Sequence, residues 1–120
     1  MSAKLPQKTI KPWGWELLYA LTEDYAGKII FIKKDHRLSL QYHRTKEETM
    51  HLFSGSVVFE TGDSTSDLKQ QIIRPGQSLH LAPGTLHRIK ASEDSVILEV
   101  STPELDDVTR LVDDYGRAGK

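Results

Sequence analysis

Apolar and polar positions alternate along most of this chain in short runs, the pattern expected of β-strands with one buried face. The runs are rich in β-branched and aromatic side chains, and turn residues such as Pro75-Gly76 and Pro83-Gly84 separate them. Nine strands are predicted: residues 15–21, 28–33, 37–43, 48–54, 56–61, 69–73, 78–81, 87–91 and 95–101. Many short strands at this spacing are typical of an all-β sandwich or closed barrel.

The C-terminal tail, residues 103–115, is the one region with a helical pattern. Its apolar side chains recur on one helical face, with acidic residues between them: Leu105, Val108, Leu111 and Val112. This spacing predicts a short amphipathic helix that packs against the strands.

Length and composition limit the possible classes of protein. A chain of 120 residues is long enough for one domain with a real core and too short for two, so we expect one domain over residues 1–120. The net charge is -1 with 28% charged residues, and no basic block indicates a nucleic-acid partner. No segment approaches the roughly 20 apolar residues of a membrane span, and the polar N-terminus lacks the apolar run of a signal peptide. We therefore expect a cytoplasmic protein.

Four polar side chains form a candidate metal site. The chain contains no cysteine, so any metal ion must be held by His, carboxylate, amide or water ligands. A strand places Gln41 and His43 on the same face, two residues apart. Glu48 opens the next strand after a short turn, and a Pro-Gly turn precedes His87. Two imidazoles, a carboxylate and an amide oxygen suit a divalent cation and leave positions for water or substrate. The remaining histidines are interpreted as surface or structural residues: His36, His51 and His80.

The segments around these residues resemble the two sequence motifs of the cupin superfamily. The first segment is Gln41-x-His43-(four residues)-Glu48-(six residues)-Gly55, with Gln in place of the usual first His. The second segment is Gly76-(five residues)-Ala82-Pro83-Gly84-Thr85-Leu86-His87. The resemblance implies a small all-β cupin, which is a double-stranded β-helix or jelly-roll barrel, here with the short C-terminal helix.

More narrowly, the chain resembles the C-terminal cupin domain of type II mannose-6-phosphate isomerases (phosphomannose isomerases). The resemblance covers residues 11–117, where we expect the core of a stand-alone domain. It rests on the following segments: Lys11-Pro12-Trp13-Gly14, Arg37-Leu38-Ser39-Leu40-Gln41-x-His43, Ser54-Gly55, Pro83-Gly84-Thr85-x-His87-Arg88, Asp106-Asp107-Val108-x-Arg110 and Asp114-Tyr115-Gly116-Arg117.

This resemblance implies aldose–ketose isomerisation of a sugar or sugar phosphate. A single divalent metal ion would stabilise the enediolate that forms when the proton next to the carbonyl leaves. Because no redox change is needed, zinc suffices, with manganese, iron, cobalt and nickel as alternatives. The metal ligands would be Gln41, His43, Glu48 and His87.

Charged residues supply candidates for the other roles. Glu99 and Lys28 are candidates for the general base, since the family aligns their strands along the barrel interior. The alternative is that these two residues form a buried ion pair. Arg37, Arg88 and Arg110 are candidates for binding a substrate phosphate, because a guanidinium group matches its oxygens.

Two other functions stay open at this point. Two His and one carboxylate also form the facial triad of non-haem iron oxygenases, for which iron and substrate-dependent oxygen uptake are diagnostic. A cupin can also bind a sugar without catalysis, as a sensor module, and then replacing Glu99 or Lys28 would alter no turnover.

The resemblance also implies a homodimer, in which residues 1–15 are available as an arm across the partner. Exposed sheet edges in a small barrel are usually covered or paired. A monomer in light scattering at micromolar concentration would contradict this prediction.

Overall fold

Strands account for the regular structure of the chain in a computed structural model that describes residues 3–119. Within that range there are eleven strands and no helix. The strands are β1 (Gln7–Lys11), β2 (Gly14–Leu21), β3 (Ala26–Ile32), β4 (Leu40–Tyr42), β5 (Glu48–Ser54), β6 (Val57–Gly62), β7 (Lys69–Ile73), β8 (Ser78–Leu81), β9 (Leu86–Ala91), β10 (Ser95–Ser101) and β11 (Thr109–Val112). In the same residues nothing helical is long and apolar enough to cross a membrane.

The strands form two sheets in which every neighbouring pair is antiparallel. The first sheet has six strands in the order β1-β2-β3-β10-β5-β8, and the second has five in the order β11-β4-β9-β6-β7. Most connections after β3 pass from one sheet to the other, so that neighbours within a sheet are distant along the chain. This is the jelly-roll arrangement that the sequence predicts. Its register depends on which face of each strand is apolar.

Along the inward faces, ionisable residues lie at one end of the barrel and apolar residues predominate at the other. On β5, Glu48 and Leu52 are both buried, and on β9, His87 and Ala91 are both buried. In each pair the ionisable residue belongs to the same end, because Glu48 and His87 are in contact. On β10 the buried ionisable residue is Glu99. The barrel therefore has an apolar core beneath a site of ionisable residues.

Truncating Phe59 to Ala should destabilise the fold by about 3–5 kcal/mol, because removing a large ring leaves a cavity in a closely packed core. Phe59 lies on β6 between β7 and β9 and is 2% exposed. Phe53→Ala is the matched control, since Phe53 on β5 is 65% exposed and its loss should cost less than about 1 kcal/mol. Urea unfolding measures both changes. Equal effects of the two substitutions would contradict the assignment of the core.

The nine predicted strands all have counterparts in the structure. The bounds of β5, β7, β8 and β10 are those predicted. The strand predicted at 37–43 is shorter, because Arg37 makes only an isolated bridge to Lys90 and regular pairing is confined to β4. Alternation and turn residues are local signals, and for this reason they located most strands well.

The predicted C-terminal helix is wrong. Residues Thr109–Val112 form β11, which pairs with β4 through Thr109–Tyr42 and Arg110–Gln41. A helix of this length is marginal in water on its own. The edge of β4 instead offers backbone partners to the segment, and this tertiary contact overrides the helical spacing.

Part of the predicted N-terminal arm is a strand of the first sheet, and its contact with a partner stays a prediction. Residues Gln7–Lys11 form β1, which turns back at Gly14 and pairs with β2 of the same chain. The carbonyl of Phe31 lies 2.0 Å from where a Cβ on Gly14 would stand, so only glycine permits this close approach. The first two residues of the predicted arm lie outside the described range.

Candidate metal centre

Three of the four predicted ligands, His43, Glu48 and His87, meet at the polar end of the barrel. Gln41 on β4 lies opposite His87 on β9 in the sheet register. His43 follows β4 directly, and Glu48 is the first residue of β5. One donor atom from each of His43, Glu48 and His87 lies within 4.8 Å of the others. The structure thus brings together both imidazoles and the carboxylate.

The carboxylate of Glu48 lies between the two imidazoles. Its Oε1 is 3.3 Å from His87 Nε2, and its Oε2 is 3.6 Å from His43 Nε2. All three residues are buried. The turn before β9 helps to place His87, since Gly84 has a φ of 85° and its N–H donates to the His43 carbonyl at 2.7 Å. The two segments that carry the imidazoles are therefore joined directly.

Backbone carbonyls determine the orientation of both imidazole rings. His43 Nδ1 donates to the carbonyl of Asp107 at 2.5 Å, and His87 Nδ1 donates to the carbonyl of Thr85 at 3.0 Å. Because a carbonyl only accepts, each Nδ1 carries a proton. In a neutral imidazole the lone pair is then on Nε2, which faces Glu48 in both cases. This is the arrangement that metal-binding histidines usually have.

Four buried polar atoms in this cluster make no hydrogen bond of good geometry among the residues that the structure describes, although the Lys46 ammonium lies 3.1 Å from one of them, Glu48 Oε2. They are His43 Nε2, His87 Nε2 and both carboxylate oxygens of Glu48. Such atoms are rare in folded proteins because each costs desolvation energy, and they call for an explanation. A divalent cation that accepts electron pairs from all three residues would satisfy them together. Two imidazole nitrogens and a carboxylate suit zinc and other first-row divalent ions.

Glu48 is ionised despite its burial. Burial alone would raise its pKa, but the contacts with His43 and His87 and the nearby ammonium of Lys46 outweigh this, so the pKa lies far below its ordinary value. Burial similarly opposes the charged form of His43, yet the contact with Glu48 raises its pKa. A cation that binds here must therefore displace any proton on His43, since only the neutral ring is a ligand.

Gln41 lies beside the three-residue cluster. Its side chain lines the cavity described below, and Ser39 Oγ donates to its Oε1 at 3.3 Å. Its position opposite His87 is compatible with the prediction that both residues bind one metal ion. The role of its amide oxygen as a fourth ligand stays a prediction.

Lys46 is a site residue that the sequence reasoning missed. It is buried, and its Nζ lies 3.1 Å from Glu48 Oε2 and 3.4 Å from Glu99 Oε2. Burial lowers its pKa, but the charges of Glu99 and Glu48 raise it by more, so Lys46 is an ammonium that links the two carboxylates. No periodic signal in the sequence marks it, because it lies in the loop between β4 and β5 rather than on a strand.

The ion pair between Lys28 and Glu99, which was the alternative to a general-base role, is replaced by two other pairs. Lys28 Nζ binds Glu16 Oε1 at 3.2 Å, and Glu99 binds Lys46. Lys28 and Glu99 are nevertheless opposite each other in the register of β3 and β10. Burial, followed by the nearby charge of Glu48, raises the pKa of Glu99. Glu99 is therefore a buried carboxylate that accepts a proton more readily than an ordinary glutamate.

A cavity of about 540 Å³ opens over the cluster. The C-terminal segment, which comprises the residues after β10, forms one wall through Leu105, Asp106 and Val108. Strands β1 to β3 form another wall. The polar residues that line it include Lys11, Glu16, Lys28, Gln41, His43, Lys46, Glu48, Glu99, Arg110 and Arg117. Its volume is in the range of small-molecule sites, and its lining suits a highly polar ligand.

Of the three arginines predicted to bind a phosphate, one lines the cavity and two do not. Arg110 lines the cavity, whereas Arg37 and Arg88 do not. Arg37 makes two hydrogen bonds to Asp114, at 2.6 and 2.8 Å. Arg88 alternates with His87 on β9, so its side chain points away from the cavity and contacts the C-terminal segment. Arg117, which belonged to a quoted motif but was given no role, lines the cavity instead.

Solved structures with the same fold include two bacterial proteins. KdgF from Halomonas sp. has a TM-score of 0.73 and 18% identity, covering 85% of this chain and 90% of its own. Oxalate decarboxylase from Bacillus subtilis has a TM-score of 0.77 and 16% identity, covering 88% of this chain and 30% of its own. At these identities the likeness shows the fold alone, which is that of a cupin.

Two bacterial proteins are related to this chain in sequence. Alginate biosynthesis protein AlgA of Pseudomonas aeruginosa is 29% identical over 116 residues, covering 92% of this chain and 23% of the relative. Xanthan biosynthesis protein XanB of Xanthomonas campestris pv. campestris is 28% identical over 116 residues, covering 92% of this chain and 24% of the relative. The chain thus spans about a quarter of the length of these relatives. The family model for the C-terminal region of mannose-6-phosphate isomerase matches residues 2–113. The chain belongs to the mannose-6-phosphate isomerase C-terminal family.

Proposed function

We propose that this chain is a metal-dependent isomerase that interconverts an aldose and a ketose, with a hexose phosphate such as mannose 6-phosphate as substrate. The observation that carries the proposal is the position of Glu99. This buried carboxylate lies in the wall of a polar cavity, one ammonium group away from the carboxylate of a three-residue metal centre. Membership of the family supports the same reaction.

The metal centre would consist of His43, Glu48 and His87, with Gln41 as the proposed fourth ligand. A divalent ion bound there supplies positive charge that stabilises negative charge developing on the oxygens of the sugar carbonyl and its neighbouring hydroxyl. The isomerisation oxidises one carbon and reduces its neighbour with no net change, so no redox-active ion is needed and zinc is the proposed ion.

Glu99 is the proposed general base. Isomerisation moves one proton between neighbouring carbons and one between their oxygens, so a group that both accepts and returns a proton is required. The raised pKa of Glu99 suits this double role, because its carboxylate is more basic than an ordinary glutamate. Lys28 was the other candidate, but its ammonium is engaged with Glu16. We assign Lys28 to the wall of the cavity.

The cationic side chains of the cavity support a phosphorylated substrate. The cavity is lined by three cationic residues that are distant in sequence from the metal ligands: Lys11, Arg110 and Arg117. Guanidinium groups match phosphate oxygens in geometry as well as charge. We propose that Arg110 binds the phosphate while the carbonyl end of the sugar faces Glu99. The guanidinium of Arg117 is paired with the Asp113 carboxylate by two hydrogen bonds of 3.0 Å, so we assign Arg117 to the wall of the cavity.

The zinc-loaded protein should convert mannose 6-phosphate to the ketose phosphate and should incorporate deuterium at carbon 2 of the recovered sugar in heavy water. Proton exchange reports the action of a base directly, even where the overall equilibrium shifts little. Nuclear magnetic resonance measures both events. Unphosphorylated mannose serves as the comparison, and it should react more slowly. Absence of conversion and of exchange for every aldose tested would refute the isomerase.

Two further measurements, oxygen uptake and calorimetry, distinguish the two other functions. An iron oxygenase would consume oxygen in the presence of substrate when loaded with ferrous iron, and it would be inactive with zinc. A sugar sensor would bind mannose 6-phosphate in calorimetry without exchange or oxygen uptake. The homodimer and the cytoplasmic location stay predictions, the former open to light scattering as described and the latter to fractionation of cells.

A further inference from the structure

The loop between β4 and β5 joins two of the proposed metal ligands. His43 stands at its start and Glu48 directly after it, and the loop has no strand partner for its backbone. Three consecutive backbone N–H groups of this loop, those of Arg44, Thr45 and Lys46, donate instead to one carboxylate. That carboxylate is Asp107, at 3.0, 2.7 and 2.9 Å respectively.

A run of N–H groups directed at one anion is a stable arrangement, since each donor is satisfied and the negative charge is spread over all three. Both carboxylate oxygens of Asp107 accept these bonds, so its side chain holds the conformation of the loop.

The backbone carbonyl of Asp107 also orients the imidazole ring of His43. The Asp107 carbonyl accepts the hydrogen bond from His43 Nδ1 and so keeps His43 Nε2 free to face Glu48. His87 differs, because its orienting carbonyl belongs to Thr85, only two residues away in its own turn. Of the two imidazoles, His43 alone depends on a residue far along the chain for its orientation.

We propose that Asp107 is a positioning residue of the metal centre, which preorganises His43 and Glu48 by holding the loop between them and the ring of His43. The role rests on the metal centre of the proposed function. Through Asp107, the segment before β11 contacts the loop that joins His43 and Glu48. The sequence motifs do not indicate this contact. Partners of this kind, which bind the ligands rather than the ion, typically contribute roughly 10- to 100-fold to metal affinity.

Metal affinity of the full chain tests this role. Asp107→Ala should weaken zinc binding by roughly 10- to 100-fold in competition with a chromophoric chelator. It should also change the visible absorption spectrum of bound cobalt, which reports the geometry of the ligands. Asp114→Ala is the matched control, because Asp114 is a carboxylate of the same segment that binds Arg37 away from the site. We expect this control to bind zinc within about threefold of the wild type and to leave the cobalt spectrum unchanged.

The outcomes separate the positioning role from the metal centre itself. If Asp107→Ala binds zinc within threefold of the wild type, the role of Asp107 is overturned and the metal centre stands. If the wild type binds neither zinc nor cobalt, both are overturned. Should the alanine variant not fold, Asp107→Asn replaces it under the same criterion, since asparagine keeps the size of the side chain and loses its charge.

Discussion

Replacing Glu48 with Gln should reduce the zinc affinity of this chain by roughly a thousandfold. Structural zinc sites bind with about 10–16 kcal/mol in total, so one of three protein ligands accounts for roughly 3–5 kcal/mol. Glu48 is also the only anionic member of the triad, and it lies within 3.6 Å of both imidazoles. Wild-type protein should bind one ion per chain. Competition with a chelator of known affinity measures both proteins.

The neighbouring residue provides a matched control for this substitution. Glu47 has the same side chain but is exposed and binds His80 on the surface, so Glu47→Gln should leave zinc affinity within about threefold. Thermal unfolding of both metal-free variants shows whether each is folded, which matters because Glu48→Gln removes one of the two charges that balance buried Lys46. Zinc affinity of Glu48→Gln within tenfold of the wild type would mean that this carboxylate is not a ligand.

Replacing Glu99 with Gln should lower kcat of the isomerase by about 10²- to 10⁴-fold, the usual contribution of a general base. A glutamine cannot accept the proton from carbon, although it has nearly the same shape. Zinc affinity should change by less than about threefold, because Lys46 separates Glu99 from the ligand carboxylate. Lys46 also keeps Glu48 as a partner in this variant, so we expect the protein to fold. Steady-state kinetics and deuterium exchange measure the loss.

Glu16 is the control for this second substitution, since it is another carboxylate of the same cavity that is paired with a lysine. Glu16→Gln should change kcat by less than about tenfold. A larger loss of exchange in Glu16→Gln than in Glu99→Gln would place the base on β2 rather than on β10. That result would leave the metal centre intact and would reassign only the proton transfer.

The residues of the candidate metal triad were predictable because they lie in two segments that resemble the cupin motifs. Strand alternation puts Gln41 and His43 on one face, and a Pro-Gly turn places His87 at the start of a strand. Lys46 and Asp107 were not predictable in the same way, since both act through a loop. A loop has no period, and its contacts with a segment about sixty residues away depend on how the sheets close.

The amino-acid sequence by itself determined the all-β architecture and most of the strands, which follow from alternation and turns between near neighbours in the chain. It also predicted that His43, Glu48 and His87 converge, because two separate segments of the chain resemble the two cupin motifs. Only the tertiary structure decided that the tail is a strand, that Lys28 binds Glu16 and that Arg37 lies outside the cavity. The physical reason is competition: each of these groups has several suitable partners in sequence, and the closure of the barrel determines which of them is within reach.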